Sequence, residues 1–158
     1  MRGWAGFDQT HRYRYTLGRR WDDAGRRVCF CLLNPSTADA RVLDPTLTRC
    51  LGFARAWGFG AMDVVNIFAW RSTDPGQLYG ADDPVGARND AAIRRCASRA
   101  DLVVAGWGVH GALHERGERV AAMLGRICEP TCFGLTKAGH PKHPLYLRKD
   151  AAIEPLRP

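Results

Sequence analysis

The sequence predicts an α/β domain spanning residues 1–158, with a mostly parallel four-stranded central sheet covered by helices and an N-terminal hairpin added to it. Two observations predict this. Short apolar runs of strand length alternate along the chain with amphipathic helical patterns, which is the signature of parallel strands joined by crossover helices. The first strong run, Val28-Cys29-Phe30-Cys31-Leu32-Leu33, is apolar on both alternating faces, as a strand covered on both sides must be. It stops at Asn34-Pro35-Ser36-Thr37, where Pro35 cannot donate to a ladder and biases Asn34 toward extended backbone. An amide and two hydroxyls are thereby delivered at the strand's carboxyl end, the edge where open α/β sheets bind ligands.

The remaining elements follow in order. Arg12 to Leu17 alternates basic with aromatic or apolar side chains, a half-exposed strand, and the turn residues of Trp21 to Arg26 predict a hairpin into the central strand. Asp44-Pro45 is a helix start, with a capping carboxylate followed by Pro at the first helical position. The helix over Thr46–Trp57 carries Leu47, Cys50, Leu51, Ala54 and Trp57 on one face and ends at Gly58 and Gly60. Met62 to Arg71 is a second buried strand, interrupted by Asn66, whose amide must find partners. A helix over Ala87–Arg99 turns Ala92, Ile93, Cys96 and Ala97 inward. A third strand, Asp101 to Gly108, ends in Gly106-Trp107-Gly108, and a helix over Ala112–Leu124 follows. Thr131–Leu135 is a fourth short strand, Thr136–Leu147 a loop rich in His and Pro, and Arg148–Pro158 adds a turn of helix.

Composition bounds the function. The chain has 158 residues, 46% hydrophobic, with no apolar run long enough to span a bilayer and no signal-peptide core at its start; a cytoplasmic protein with no membrane partner is expected. Its six Cys are scattered in apolar or helical surroundings, as reduced core thiols are. The net charge of +7 favours an anionic partner such as DNA or a nucleotide, although Arg also covers apolar surface. His110 and His114 have helical i, i+4 spacing, but no Glu lies between them as metalloprotease chemistry requires. No metal or cofactor is called for.

Parallel strands would gather Asn34-Pro35-Ser36, Asn66 with Arg71, Gly106-Trp107-Gly108 and His140-Pro141-Lys142-His143-Pro144 at one edge. That set holds amides, a hydroxyl, imidazoles and cations but no carboxylate pair; Asp39 and Asp44 are the nearest acids. The words LNPSTAD, DPT, NIFAWRST, ND, WG-x-x-G and GHPKHPLYL, in this order, resemble a bacterial domain family of unknown function. More distantly, the strand-end signals resemble the uracil-DNA glycosylase superfamily: Asn34-Pro35-Ser36, Asn66 to Arg71, the strand ending Trp107-Gly108, and a His-Pro loop at His140 or His143.

That resemblance implies a three-layer, uracil-DNA glycosylase-like sandwich and cleavage of an N-glycosidic bond in DNA. It casts Asn34 as the group that positions water, which an amide can orient but not deprotonate. Asn66 would read a base edge, and His140 or His143 would stabilise the departing base. Pro35, Ser36, Arg71, Trp107 and Lys142 complete the substrate-binding set, with Phe53 or Trp57 as stacking candidates and Leu145-Tyr146 as a wedge for base flipping. His-Pro-Lys-His-Pro departs from the superfamily's usual His-Pro-Ser-Pro, so the functional His stays open between the two. The alternative is a protein that binds or hydrolyses a free nucleoside or nucleotide. In a third reading Asn34, Asn66 and His140 merely brace loops.

Overall fold

A computed structural model describes residues 1–157. The fold is α/β, built on a mixed seven-stranded sheet with helices on both faces. The strands are β1 (Arg2–Phe7), β2 (Arg14–Arg20), β3 (Arg27–Leu32), β4 (Ala61–Asn66), β5 (Leu102–Ala105), β6 (Thr131–Cys132) and β7 (Glu154–Pro155), in the spatial order β1-β2-β4-β3-β5-β6-β7. β3 pairs parallel with β4 and β5, and β5 with β6; β1–β2, β2–β4 and β6–β7 are antiparallel. The sheet is thus larger than four strands and a hairpin.

β3 occupies the middle of the sheet because both of its faces are apolar. Cys29 and Cys31 enter one core with the helices α2 (Asn89–Arg99) and α3 (Arg116–Gly125). Val28, Phe30 and Leu32 enter the other, beneath α1 (Pro45–Ala56). Full burial of each such side chain is worth roughly 1.5–3 kcal/mol, which favours a central position over an edge, where one side would stay open. α1 begins as its sequence dictates: Asp44 Oδ1 accepts from Leu47 N at 2.9 Å, with Pro45 in the first turn. Asp63, buried in β4, accepts from both Arg27 and Arg99.

Several expectations are corrected. The segment Trp21 to Arg26 does not make a hairpin into β3. β2 pairs instead with β1 and β4, and the turn lies against Gly60, which accepts from Trp21 N and Asp22 N through its carbonyl. A Cβ on Gly25 would meet Gly60 Cα at 2.4 Å, so the two chains approach only because both positions are glycine. The strand expected over Met62–Arg71 runs only from Ala61 to Asn66. The helix expected over Ala112–Leu124 is two pieces: 3₁₀ turns over Val109–Glu115, then α3, separated where His114 and Glu115 take positive φ. The break lets buried Arg116 donate to Ile67 O and Asp90. The tail forms β7 rather than a helical turn; Pro155 is tolerated there because the strand is at the sheet edge. Pro158, part of that expected turn, lies outside the described residues. No helix among the described residues is long and apolar enough to cross a membrane.

Candidate active site

The chain leaves β3 toward α1 on one face and leaves β5 toward α3 on the other. Connections diverging from neighbouring parallel strands open a crevice at their carboxyl ends. Here it is a cleft of about 500 Å³, walled by the β3 loop (Asn34, Ser36), the start of α1 (Asp44, Thr46), the loop after β4 (Ser72, Thr73) and the β5 loop (Trp107 to His110). The 3₁₀ turn Pro144–Tyr146 and His143 before it close the remaining side.

The β3 loop is held from behind by three arginines. Arg71 Nε donates to Ser36 O, Arg14 Nη1 to Ala38 O and Arg19 Nη2 to Asp39 O, at 3.3, 3.1 and 2.6 Å. Asp39 Oδ1 accepts from Arg41 N and Val42 N, which closes the turn and holds its carboxyl below the ordinary range. The loop is therefore held through its backbone carbonyls and the Asp39 carboxylate.

Asn34 is oriented by its surroundings. Its Nδ2 donates to Ser72 Oγ at 2.9 Å, Ser72 O at 3.1 Å and Pro35 O at 3.2 Å, with Trp70 O further off. Every group around Nδ2 is an acceptor, since Ser72 Oγ donates onward to Asp74 O. The amide has one possible orientation, and Oδ1, which accepts from no described residue, is its open acceptor. His143 is oriented similarly. Its Nδ1 accepts from Leu145 N at 3.3 Å, so the neutral ring carries its proton on Nε2. Burial pushes its pKa below the ordinary value, and the Asp44 carboxylate opposes that in part. The cleft is thus lined by an amide with an open acceptor and a neutral imidazole with an open donor, each oriented by hydrogen bonds to its own loop, beside an indole that is 2% exposed. Both groups can act without the reorganisation that weakens dipoles in water.

The two His-Pro words are separated. His140 lines a second cavity of about 530 Å³, between α3, the loop before β7 and the tail, while His143 shares the cleft with Asn34. Trp107 walls both cavities. Asn66 is not on the cleft: it is 2% exposed, its Oδ1 accepts from Arg14 Nη2, and its carbonyl accepts from Asn89 Nδ2. Arg71 braces the β3 loop and lies over Phe7. Pro35 is buried, its carbonyl taking up Ser72 N and Asn34 Nδ2, and Lys142 is exposed with its backbone N–H on Gly134 O. Phe53 and Trp57, expected as stacking groups, pack with Phe30 and Phe133 in the core. Leu145 and Tyr146 stand on the cleft wall, Tyr146 being 89% exposed.

The cleft also holds Asp44, one of the two acids expected nearest the strand-end set, and Ser72 and Thr73, which the sequence reading does not single out. His110 lines the cleft with Nδ1 at 3.1 Å from Tyr79 Oη, whereas His114 is exposed in left-handed backbone, so the pair has no helical i, i+4 geometry. Among the described residues no group of three His, Cys, Asp or Glu stands where it could hold a metal ion. Cys29 and Cys31 are fully buried with thiols pushed up, Cys31 to about 12, and so are poor nucleophiles.

The chain belongs to the family described as "Protein of unknown function (DUF1643)", whose model matches residues 14–145. No curated protein and no solved structure matches it.

Proposed function

We propose that the cleft binds a nucleobase and hydrolyses the N-glycosidic bond joining it to a sugar, as in the uracil-DNA glycosylase superfamily that the strand-end signals resemble. In this reading β4, β3, β5 and β6, with the β1–β2 hairpin, correspond to that superfamily's sheet. One observation carries the proposal: Asn34 Oδ1 and His143 Nε2–H are an acceptor and a neutral donor fixed in one cleft. Asn34 accepts a hydrogen bond from a water and directs the water's lone pair at the anomeric carbon. The C–O bond forms as the C–N bond breaks, the C–N electron pair stays with the departing base, His143 donates to the charge that develops there, and the proton the water gives up ends on that base, which leaves neutral. A preorganised donor of this kind is worth about 3 kcal/mol in the transition state.

DNA is the carrier of the base to which the net charge points. A free nucleoside or nucleotide is the second reading, favoured by the absence of Lys and Arg from the described cleft wall. The test is a cleavage and binding screen of uracil-, hypoxanthine- and mismatch-containing oligonucleotides beside free nucleosides and nucleotides, with Asn34→Ala and His143→Asn as controls. Release of a free base that falls at least a hundredfold in either variant supports the proposal. No release and no binding of any base-containing probe refutes it.

A further inference from the structure

The wall of the cleft narrows the carrier of the base. We infer that the substrate is a free, unphosphorylated ribonucleoside whose sugar diol is held by Asp44; this deepens the reading above and rests on it. Three observations converge. The cleft wall carries a carboxylate and, among the described residues, no Lys or Arg, so a phosphate entering it would meet the Asp44 charge with only the first turn of α1 to favour it. Arg14, Arg19 and Arg71, which contact the β3 loop, are spent on the backbone carbonyls of Ala38, Asp39 and Ser36, and Arg41, exposed within that loop, is not on the cleft wall. The cleft wall also carries the hydroxyls of Ser36, Thr46 and Thr73, which suit a neutral polyol.

Asp44 is placed to take that diol. Its Oδ1 is committed to Leu47 N at 2.9 Å, which fixes the carboxylate plane, and Oδ2 accepts from no described residue. A carboxylate oxygen so fixed accepts charge-assisted hydrogen bonds from sugar hydroxyls. A deoxyribose lacks one of those donors, and a strand of DNA adds phosphates on both sides of the sugar.

The test separates ribose recognition from capping. Asp44→Asn and Asp44→Ser both keep a side-chain oxygen for Leu47 N, so α1 stays capped and the Tm holds. Binding is measured for adenosine, guanosine, cytidine, uridine and inosine, their 2′-deoxy forms, their 5′-monophosphates and a single-stranded 12-mer. The expected result is one ribonucleoside bound at least tenfold tighter than its 2′-deoxy and 5′-phosphorylated forms, with the ribo-to-deoxy ratio falling to near one in both Asp44 variants. A deoxynucleoside, monophosphate or 12-mer bound as tightly as the ribonucleoside overturns the inference while leaving the nucleobase reading standing. So does an unchanged ratio in the variants. No binding of any probe overturns both.

Discussion

The surroundings of Asn34 predict that the acidic residue best suited to activate water destabilises the fold when installed there. In Asn34→Asp the two hydrogens on Nδ2 are replaced by an oxygen facing Ser72 O, Pro35 O and Ser72 Oγ, all within 3.2 Å of that atom in the native chain. Two neutral hydrogen bonds are lost at roughly 1 kcal/mol each, and crowded oxygens without donors add about 1 kcal/mol more after Ser72 Oγ turns to donate. The sum is about 3 kcal/mol, or a Tm fall of roughly 6–12 °C for a chain of this size. The cost also depends on pH. Surrounding oxygens hold the new carboxyl's pKa above its unfolded value of about 3.9. Folding then takes up a proton between those two pKa values, so the variant is nearest to wild type below about pH 4 and loses stability as pH rises through the raised pKa. Urea denaturation at pH 4 and pH 7 reads both effects. A variant as stable as wild type at pH 7, or a deficit independent of pH, would show that the amide is not locked by acceptors, and the argument for a free Oδ1 would fall with it.

Other substitutions test the remaining walls. The half-buried imidazole of His143 has its pKa lowered by desolvation, while its unfolded pKa lies near 6.5. The unfolded chain therefore binds more protons below that pH, and wild type should lose stability relative to His143→Asn, whose side-chain oxygen replaces Nδ1 as acceptor, on going from pH 7 to pH 5. Parallel denaturation profiles would contradict it. Gly111→Ala places a Cβ 2.2 Å from Trp107 Cδ1, so the indole or the 3₁₀ turn must move. A loss of about 1–3 kcal/mol with weakened ligand binding is expected by chemical denaturation and titration. The same change at Gly52, where nothing lies within 4 Å, should be neutral or stabilise α1 by up to about 1 kcal/mol.

What the sequence shows and what it conceals follow from the range of the interactions involved. The β3 run, the Asp44-Pro45 helix start and the inward face of α2 rest on local periodicity, and the structure has them where the periodicity puts them. β1 is half-exposed and glycine-containing, and β7 carries a proline, so neither has a strand pattern to detect; each exists because an open edge was available for pairing. The site was less legible than the fold. Asn34 and Asn66 look alike in sequence, each an amide ending an apolar run. Only tertiary contacts distinguish them: Ser72 takes up one face of Asn34, whereas Arg14 and Asn89 enclose Asn66. His140 and His143 are likewise two His-Pro words three residues apart. Pro141 O accepts from Gly108 N, which pins the loop between them over Trp107 and sends the imidazoles to different cavities.

The basic composition carries a further lesson about inference from charge. A net charge of +7 points toward nucleic acid, yet a share of the cations is occupied inside the fold. Arg14, 1% exposed, forks between Ala38 O and Asn66 Oδ1; burial lowers its pKa only to about 10, so it remains charged at neutral pH. Arg27 and Arg99 neutralise the buried Asp63, and Arg116 reaches Ile67 O and Asp90. Arg14, Arg19, Arg71 and Arg116 do for the loops at the sheet's carboxyl edge what regular secondary structure does elsewhere: they supply donors to carbonyls that have no ladder to join. A carbonyl-rich edge of irregular loops demands donors whatever the ligand. The positive balance is therefore explained in part by the architecture of the cleft, and the wall that faces the ligand, with one carboxylate and no Lys or Arg among its described residues, is the better guide to what binds there.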